Sequence, residues 1–141
     1  MKRLALVLGG LGVLAFAAME LPAGETTKPT IKQLMKKLNS GPESLLPRIA
    51  KAIKSQEPDW QNIQQNSKQL AELAAGLSEL TPPLGDKESW DRLARAYVDN
   101  AKTLDIAAKK KDRPGARAAH AKLGGSCKAC HDAHRPKTSG F

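Results

Sequence analysis

The sequence has few aromatic residues, and its positive charges are not clustered. Two Trp, one Tyr and two Phe among 141 residues are too few for a platform that stacks nucleic-acid bases. The formal net charge is +9, but the basic residues are scattered along the chain, so we predict no nucleic-acid partner. The period-two alternation of β-strands is almost absent, which argues against a sheet fold.

A hydrophobic run long enough to span a membrane is also missing. The longest uncharged apolar stretch, residues 4–19, has sixteen residues, whereas a membrane-spanning helix needs about 20. It follows Lys2 and Arg3 and contains the small-residue site Ala15-Phe16-Ala17, as a secretory signal peptide does. We therefore assign residues 1–24 to a cleaved signal peptide with a short linker and expect an exported, periplasmic protein. Retention of the segment as an anchor is the alternative.

The remaining residues, 25–141, are enough for one domain with a single core. Apolar residues recur there at helical spacing in four segments. These segments are 31–53 with an interruption at Gly41-Pro42, 60–80, 86–108 and 112–134. Short linkers between amphipathic helices favour antiparallel neighbours. We predict an all-α, antiparallel four-helix bundle.

Both cysteines lie near the C-terminus, three residues apart, and a histidine follows the second. Cys127-Lys-Ala-Cys130-His131 has the C-x-x-C-H spacing at which c-type haem is attached. Residues i, i+3 and i+4 share a helix face, so two thiols can reach the haem vinyl groups while the imidazole of His131 faces the iron. We predict one covalent haem c, bound to Cys127 and Cys130 near the C-terminal end of the bundle.

Other interpretations of the two cysteines fit less well. A disulfide between them would close too small a loop to stabilise the fold. A structural zinc site would need two more ligands, and His120 and His134 lie on the same predicted helix. A thioredoxin-type dithiol would follow a strand, and no strand is predicted.

The segment from Gly125 to Arg135, at the end of an exported four-helix chain, resembles the class II c-type cytochromes, the cytochrome c prime family. The resemblance implies a haem inside the bundle near one end. It also implies that Arg135 lies beside the proximal pocket or a haem propionate; a cation favoured by the helix dipole is the alternative. Family members often form dimers through their first two helices, and the interruption at Gly41-Pro42 is a departure from that pattern.

The sixth iron ligand decides the function. Met35 is the one methionine outside the predicted signal peptide, it lies on the apolar stripe of the first helix, and a thioether is a known axial partner of histidine. The resemblance implies two kinds of protein, one with such a methionine ligand and one with five-coordinate iron. With Met35 bound, we predict a one-electron carrier that serves a redox partner protein and is not an enzyme. With Met35 merely packed, the alternative is a haem protein that binds nitric oxide or carbon monoxide.

Overall fold

The computed structural model describes residues 28–137, which form five helices and no strand. The helices are α1 (Ile31–Leu38), α2 (Leu45–Lys54), α3 (Trp60–Ala75), α4 (Lys87–Lys109) and α5 (Arg113–His134). A 3₁₀ turn, Gly76–Glu79, follows α3 directly. The predicted all-α class is therefore confirmed over this range. The predicted signal peptide and linker, residues 1–24, lie outside the described residues.

Polar side chains determine where four of the helices begin. Thr30 and Gln33 form a capping box at α1, in which each side chain bonds the other residue's backbone N–H. Three aspartates each accept a hydrogen bond from the backbone N–H three residues further on, at the starts of α3, α4 and α5: Asp59, Asp86 and Asp112. These caps satisfy N–H groups that have no partner within the helix.

The first predicted helix is divided into α1 and α2. Gly41 in the connecting segment has φ +88°, a left-handed conformation that favours glycine, and the Ser44 hydroxyl donates to its carbonyl at 2.7 Å. The interruption expected at Gly41-Pro42 is therefore a complete turn between two short helices. Together these helices fill the first of the four positions in the bundle.

The helices pack as a bundle in which α4 lies between α3 and α5. The helix α2 completes the bundle, because it packs against both α3 and α5. The helix α1 packs against α3. Short connections make successive helices antiparallel. Leucine, isoleucine and alanine side chains fill most of the core, and Trp90 and Tyr97 are buried among them as predicted. Trp60 packs against the core while remaining partly exposed.

The end of α3 differs from the prediction. The apolar pattern suggested a helix through Leu80, but the α-helix ends at Ala75 and a 3₁₀ turn follows. The indole N–H of Trp90 donates to the carbonyl of Leu77 at 3.1 Å. The same carbonyl accepts the backbone N–H of Leu80 at 3.2 Å, so the 3₁₀ turn is bonded both within itself and to α4.

Within residues 28–137, no helix is both long and apolar enough to cross a bilayer.

Candidate functional site

The helix α5 brings the three residues of the attachment motif onto neighbouring positions. Cys127 and Cys130 are free thiols, and both side chains are half-buried. Cys130 packs against the core, whereas His131 is exposed. Burial raises the pKa of the Cys130 thiol, and the nearby Cys127 raises it further. The motif thus lies at the edge of the core, with Cys130 packed against it and the imidazole of His131 exposed.

The surroundings of the motif leave room for a large planar group. An added Cβ at Gly124 or Gly125 would meet no atom within 4 Å, so this part of α5 is uncovered. No Cα of α1 lies within 8 Å of a Cα of α5, so these two helices are not packed directly against each other. Two thiols, an imidazole and an uncovered helix face are the features that a covalently bound haem requires. The residues present fit that cofactor.

The register between α2 and α5 is fixed by two hydrogen-bonded pairs. The Arg113 guanidinium donates to the carbonyl of Ile53 at 3.0 Å, and Nε2 of His120 lies 3.0 Å from the carbonyl of Leu46. The two carbonyls on α2 are seven residues apart, and so are the two side chains on α5, but they follow in opposite order along the chain. The two helices are therefore antiparallel. This register applies to α2 and α5 alone, because the turn at Gly41 separates α2 from α1.

Tyr97 of α4 bonds the C-terminal end of α1. Its hydroxyl donates to Oδ1 of Asn39 at 3.1 Å. Cys127 is among the causes that raise the pKa of its phenol. Tyr97 therefore links α4 to the last turn of α1.

Met35 lies one helical turn before Asn39, just as His131 lies one turn after Cys127. Its side chain is half-buried and packs against the core. Its sulfur accepts a hydrogen bond from Nδ2 of Asn39 at 3.6 Å. Met35, the predicted distal ligand, therefore lies one turn from the residue that Tyr97 bonds.

The phenol of Tyr97 makes folding stability sensitive to alkaline pH. Burial raises its pKa to about 12, the hydrogen bond to Asn39 opposes this, and Cys127 adds to it. Because the folded pKa lies above the unfolded value of about 10, this stabilisation is complete below pH 10 and is lost as the pH rises towards 12. From pH 8 to pH 11, the free energy of unfolding measured in urea should fall by about 1 kcal/mol more in the wild type than in Tyr97→Phe. Equal losses in the two proteins would contradict this prediction.

His134 anchors the end of α5 that carries the motif. Its ring is 3% exposed, with Nδ1 2.8 Å from the carbonyl of Leu84 and Nε2 3.2 Å from the hydroxyl of Ser89. Because a carbonyl only accepts, Nδ1 carries the proton and Nε2 accepts from Ser89. The ring also meets Trp90 edge to face, with centroids 5.4 Å apart. Both nitrogens are thus engaged within the protein, in keeping with the packing role expected from the sequence.

The remaining predicted residues also lie on α5. His120 is partly buried and holds α5 to α2. Arg135 is the C-terminal cap residue of α5, is partly buried, and donates its backbone N–H to the carbonyl of His131 at 3.0 Å. It therefore follows the predicted iron ligand by one turn.

Sequence reasoning missed the contribution of Asn39 and assigned Tyr97 to the core alone. A signal for Asn39 was present, because a residue four places after Met35 shares its helix face. Nothing comparable links Tyr97 to either Asn39 or Cys127, since fifty-eight residues separate it from Asn39.

A helical bundle with C-x-x-C-H on its last helix defines the class of helical c-type haem proteins. Residues 84–135, which include α4 and α5, match the family model described as Cytochrome C'. Cytochrome c' of Alcaligenes xylosoxydans xylosoxydans is 44% identical over 52 residues, which is 37% of this chain. The matched part spans 41% of that relative's length. No solved structure matches the chain.

These matches show that residues 84–135 are similar to cytochrome c', and they confirm the resemblance predicted from the motif. This family binds one covalently attached haem c, in agreement with the predicted cofactor. The matched region contains the motif, Tyr97 and His134, whereas Met35 lies outside it.

Proposed function

We propose that the protein is an exported one-electron carrier, with haem c attached to Cys127 and Cys130 and with His131 and Met35 as axial ligands. The observation that carries this proposal is the half-buried position of Met35, which packs against the core one turn before Asn39, the residue that Tyr97 of α4 bonds. When bound, the haem supplies an Fe(III)/Fe(II) couple. The chain's own groups hold it by two thioether bonds and place nitrogen and sulfur donors on opposite faces.

The thioether and the imidazole suit reversible electron transfer. Neutral histidine is a common iron ligand, and methionine opposite it favours the reduced state. The partly buried side chain of Met35 would also keep water from the distal side. Arg135, one turn after His131, would lie beside the proximal side, where a guanidinium can pair with a propionate.

No covalent bond to a substrate is made in this function, so we propose no enzymatic activity. With Lys2, Arg3 and Glu20 removed with the signal peptide, 21 basic and 13 acidic residues remain, a charge of +8. Such a charge suits a periplasmic redox partner with an acidic docking surface, because complementary charge speeds encounter. Self-association as a homodimer is a further expectation from the family.

A second candidate function is the binding of nitric oxide or carbon monoxide at a five-coordinate iron. The observation that favours it is the packing of Met35 against the core, with its sulfur already bonded to Asn39. A methionine that stays in this position would leave the distal side of the iron to a small gas.

Met35→Leu should separate the two functions, because leucine preserves the packing but has no donor atom. We expect a low-spin wild type that resists carbon monoxide, and a high-spin variant that binds the gas at least about tenfold faster, since a competing ligand is gone. Absorption spectra of the oxidised and reduced haem proteins, with and without carbon monoxide, measure both properties.

Lys36→Leu is the matched control, because this neighbouring side chain is exposed on α1. It should keep the wild-type spectrum. A wild type that is already high-spin and binds carbon monoxide as fast as Met35→Leu would reject Met35 as a ligand and favour gas binding.

A further inference from the structure

We propose that Asn39 and Tyr97 form a positioning pair that orients the sulfur of Met35 and tunes its bond to iron. This inference rests on the proposed ligation by Met35 and extends it to two residues that do not touch the metal. It concerns a specific contact, the hydrogen bond from Nδ2 of Asn39 to the sulfur of Met35 at 3.6 Å.

The position of Asn39 is fixed by its backbone. It is the C-terminal cap residue of α1, and its backbone N–H donates to the carbonyl of Met35 at 2.9 Å. Its side chain therefore lies over the last turn of the helix, on the same face as the side chain four residues earlier. A thioether sulfur is a weak acceptor, and one bond to Asn39 leaves a second lone pair free for iron.

Tyr97 fixes which way the amide of Asn39 faces. Its hydroxyl donates to Oδ1 at 3.1 Å, so the amide nitrogen on the other side is directed to the sulfur. The ring of Tyr97 is only 7% exposed, so it is held by the packing of α4. An otherwise flexible methionine, with three rotatable bonds, is thus oriented by a rigid helix through one intermediate amide.

The hydrogen bond from Asn39 should affect both the position of the Met35 sulfur and its electron density. Without the bond from Asn39, the side chain of Met35 gains rotamer freedom, and its sulfur leaves the iron more often. A donated hydrogen bond also withdraws electron density from the sulfur, which favours Fe(II). Loss of the bond should therefore lower the reduction potential and speed the entry of carbon monoxide.

The test uses the haem-loaded full chain and the variants Asn39→Leu and Tyr97→Phe. We expect carbon monoxide to bind about twofold faster to Asn39→Leu, the factor at the low end of the range for one hydrogen bond, because a thioether is a weak acceptor. The effect of Tyr97→Phe should have the same sign and be smaller. The two effects should not add in the double variant, because both changes act on one hydrogen-bonded chain. The reduction potential and the ferric sulfur-to-iron charge-transfer band provide independent readouts.

Ser40→Ala is the matched control, since the hydroxyl of Ser40 donates to the backbone carbonyl of Met35 and not to its sulfur. Its carbon monoxide rate and potential should equal those of wild type. If Asn39→Leu fails to fold, Asn39→Ser replaces it, because serine is too short to reach the sulfur in the same way.

Two results overturn the proposal, and they are distinguishable. If Met35→Leu opens the site while the Asn39 and Tyr97 variants keep the wild-type rate and potential, the positioning pair alone is wrong. If the wild type already binds carbon monoxide at the rate of Met35→Leu, ligation by Met35 fails and the positioning role fails with it. A purely structural role would lower the urea midpoint without changing the potential.

Discussion

Replacement of both Cys127 and Cys130 by serine should abolish covalent haem attachment. Serine has nearly the size of cysteine but its hydroxyl forms no thioether, so the helix should persist while the link is lost. Each single variant should retain one thioether and therefore keep haem through denaturation. Denaturing electrophoresis followed by haem staining, together with intact mass, measures how much haem remains bound to the chain. We expect full retention in the wild type and none in the double serine variant.

Lys128→Ala is the matched control for the cysteine variants. Lys128 lies between the two thiols but is exposed, and it pairs only with the neighbouring Asp132 in the described part of the chain. An isolated surface pair of this kind stabilises a helix by less than about 1 kcal/mol. The control should attach haem fully. Covalent haem in the double serine variant would place the attachment site elsewhere.

Gly85→Ala should lower the free energy of unfolding by about 3 kcal/mol, the largest stability effect expected outside the motif. Gly85 has φ +77°, where an alanine is strained by about 1–2 kcal/mol. An added Cβ would also lie 2.7 Å from the carbonyl oxygen of Ala133 and 2.7 Å from Nδ1 of His134. The loop before α4 must approach α5 this closely because His134 bonds the carbonyl of Leu84. Urea unfolding of the haem protein measures the change.

Gly41→Ala separates the two causes of this effect. Gly41 also has a left-handed backbone, with φ +88°, but an added Cβ there meets nothing within 4 Å. It should therefore cost only about 1 kcal/mol, from backbone strain alone. Equal losses in the two variants would mean that the close approach to α5 contributes nothing.

Much of the fold was predictable because it depends on local patterns. Helical spacing of apolar residues predicted the elements of the bundle. The end of α3 was not predictable in this way. Leu77 and Leu80 continue the apolar pattern, but the chain forms a 3₁₀ turn after Ala75, in which the carbonyl of Leu77 accepts from Leu80 and from the indole of Trp90 on another helix.

The sequence by itself determined which groups are available for the chemistry: the spacing of Cys127, Cys130 and His131 predicts a covalent haem because it brings two thiols and an imidazole together within about one helical turn. Only the tertiary structure decided what surrounds Met35. Asn39, which bonds the sulfur of Met35, is itself held by the hydroxyl of Tyr97 from α4. Such contacts join residues far apart in the chain, so no local spacing encodes them.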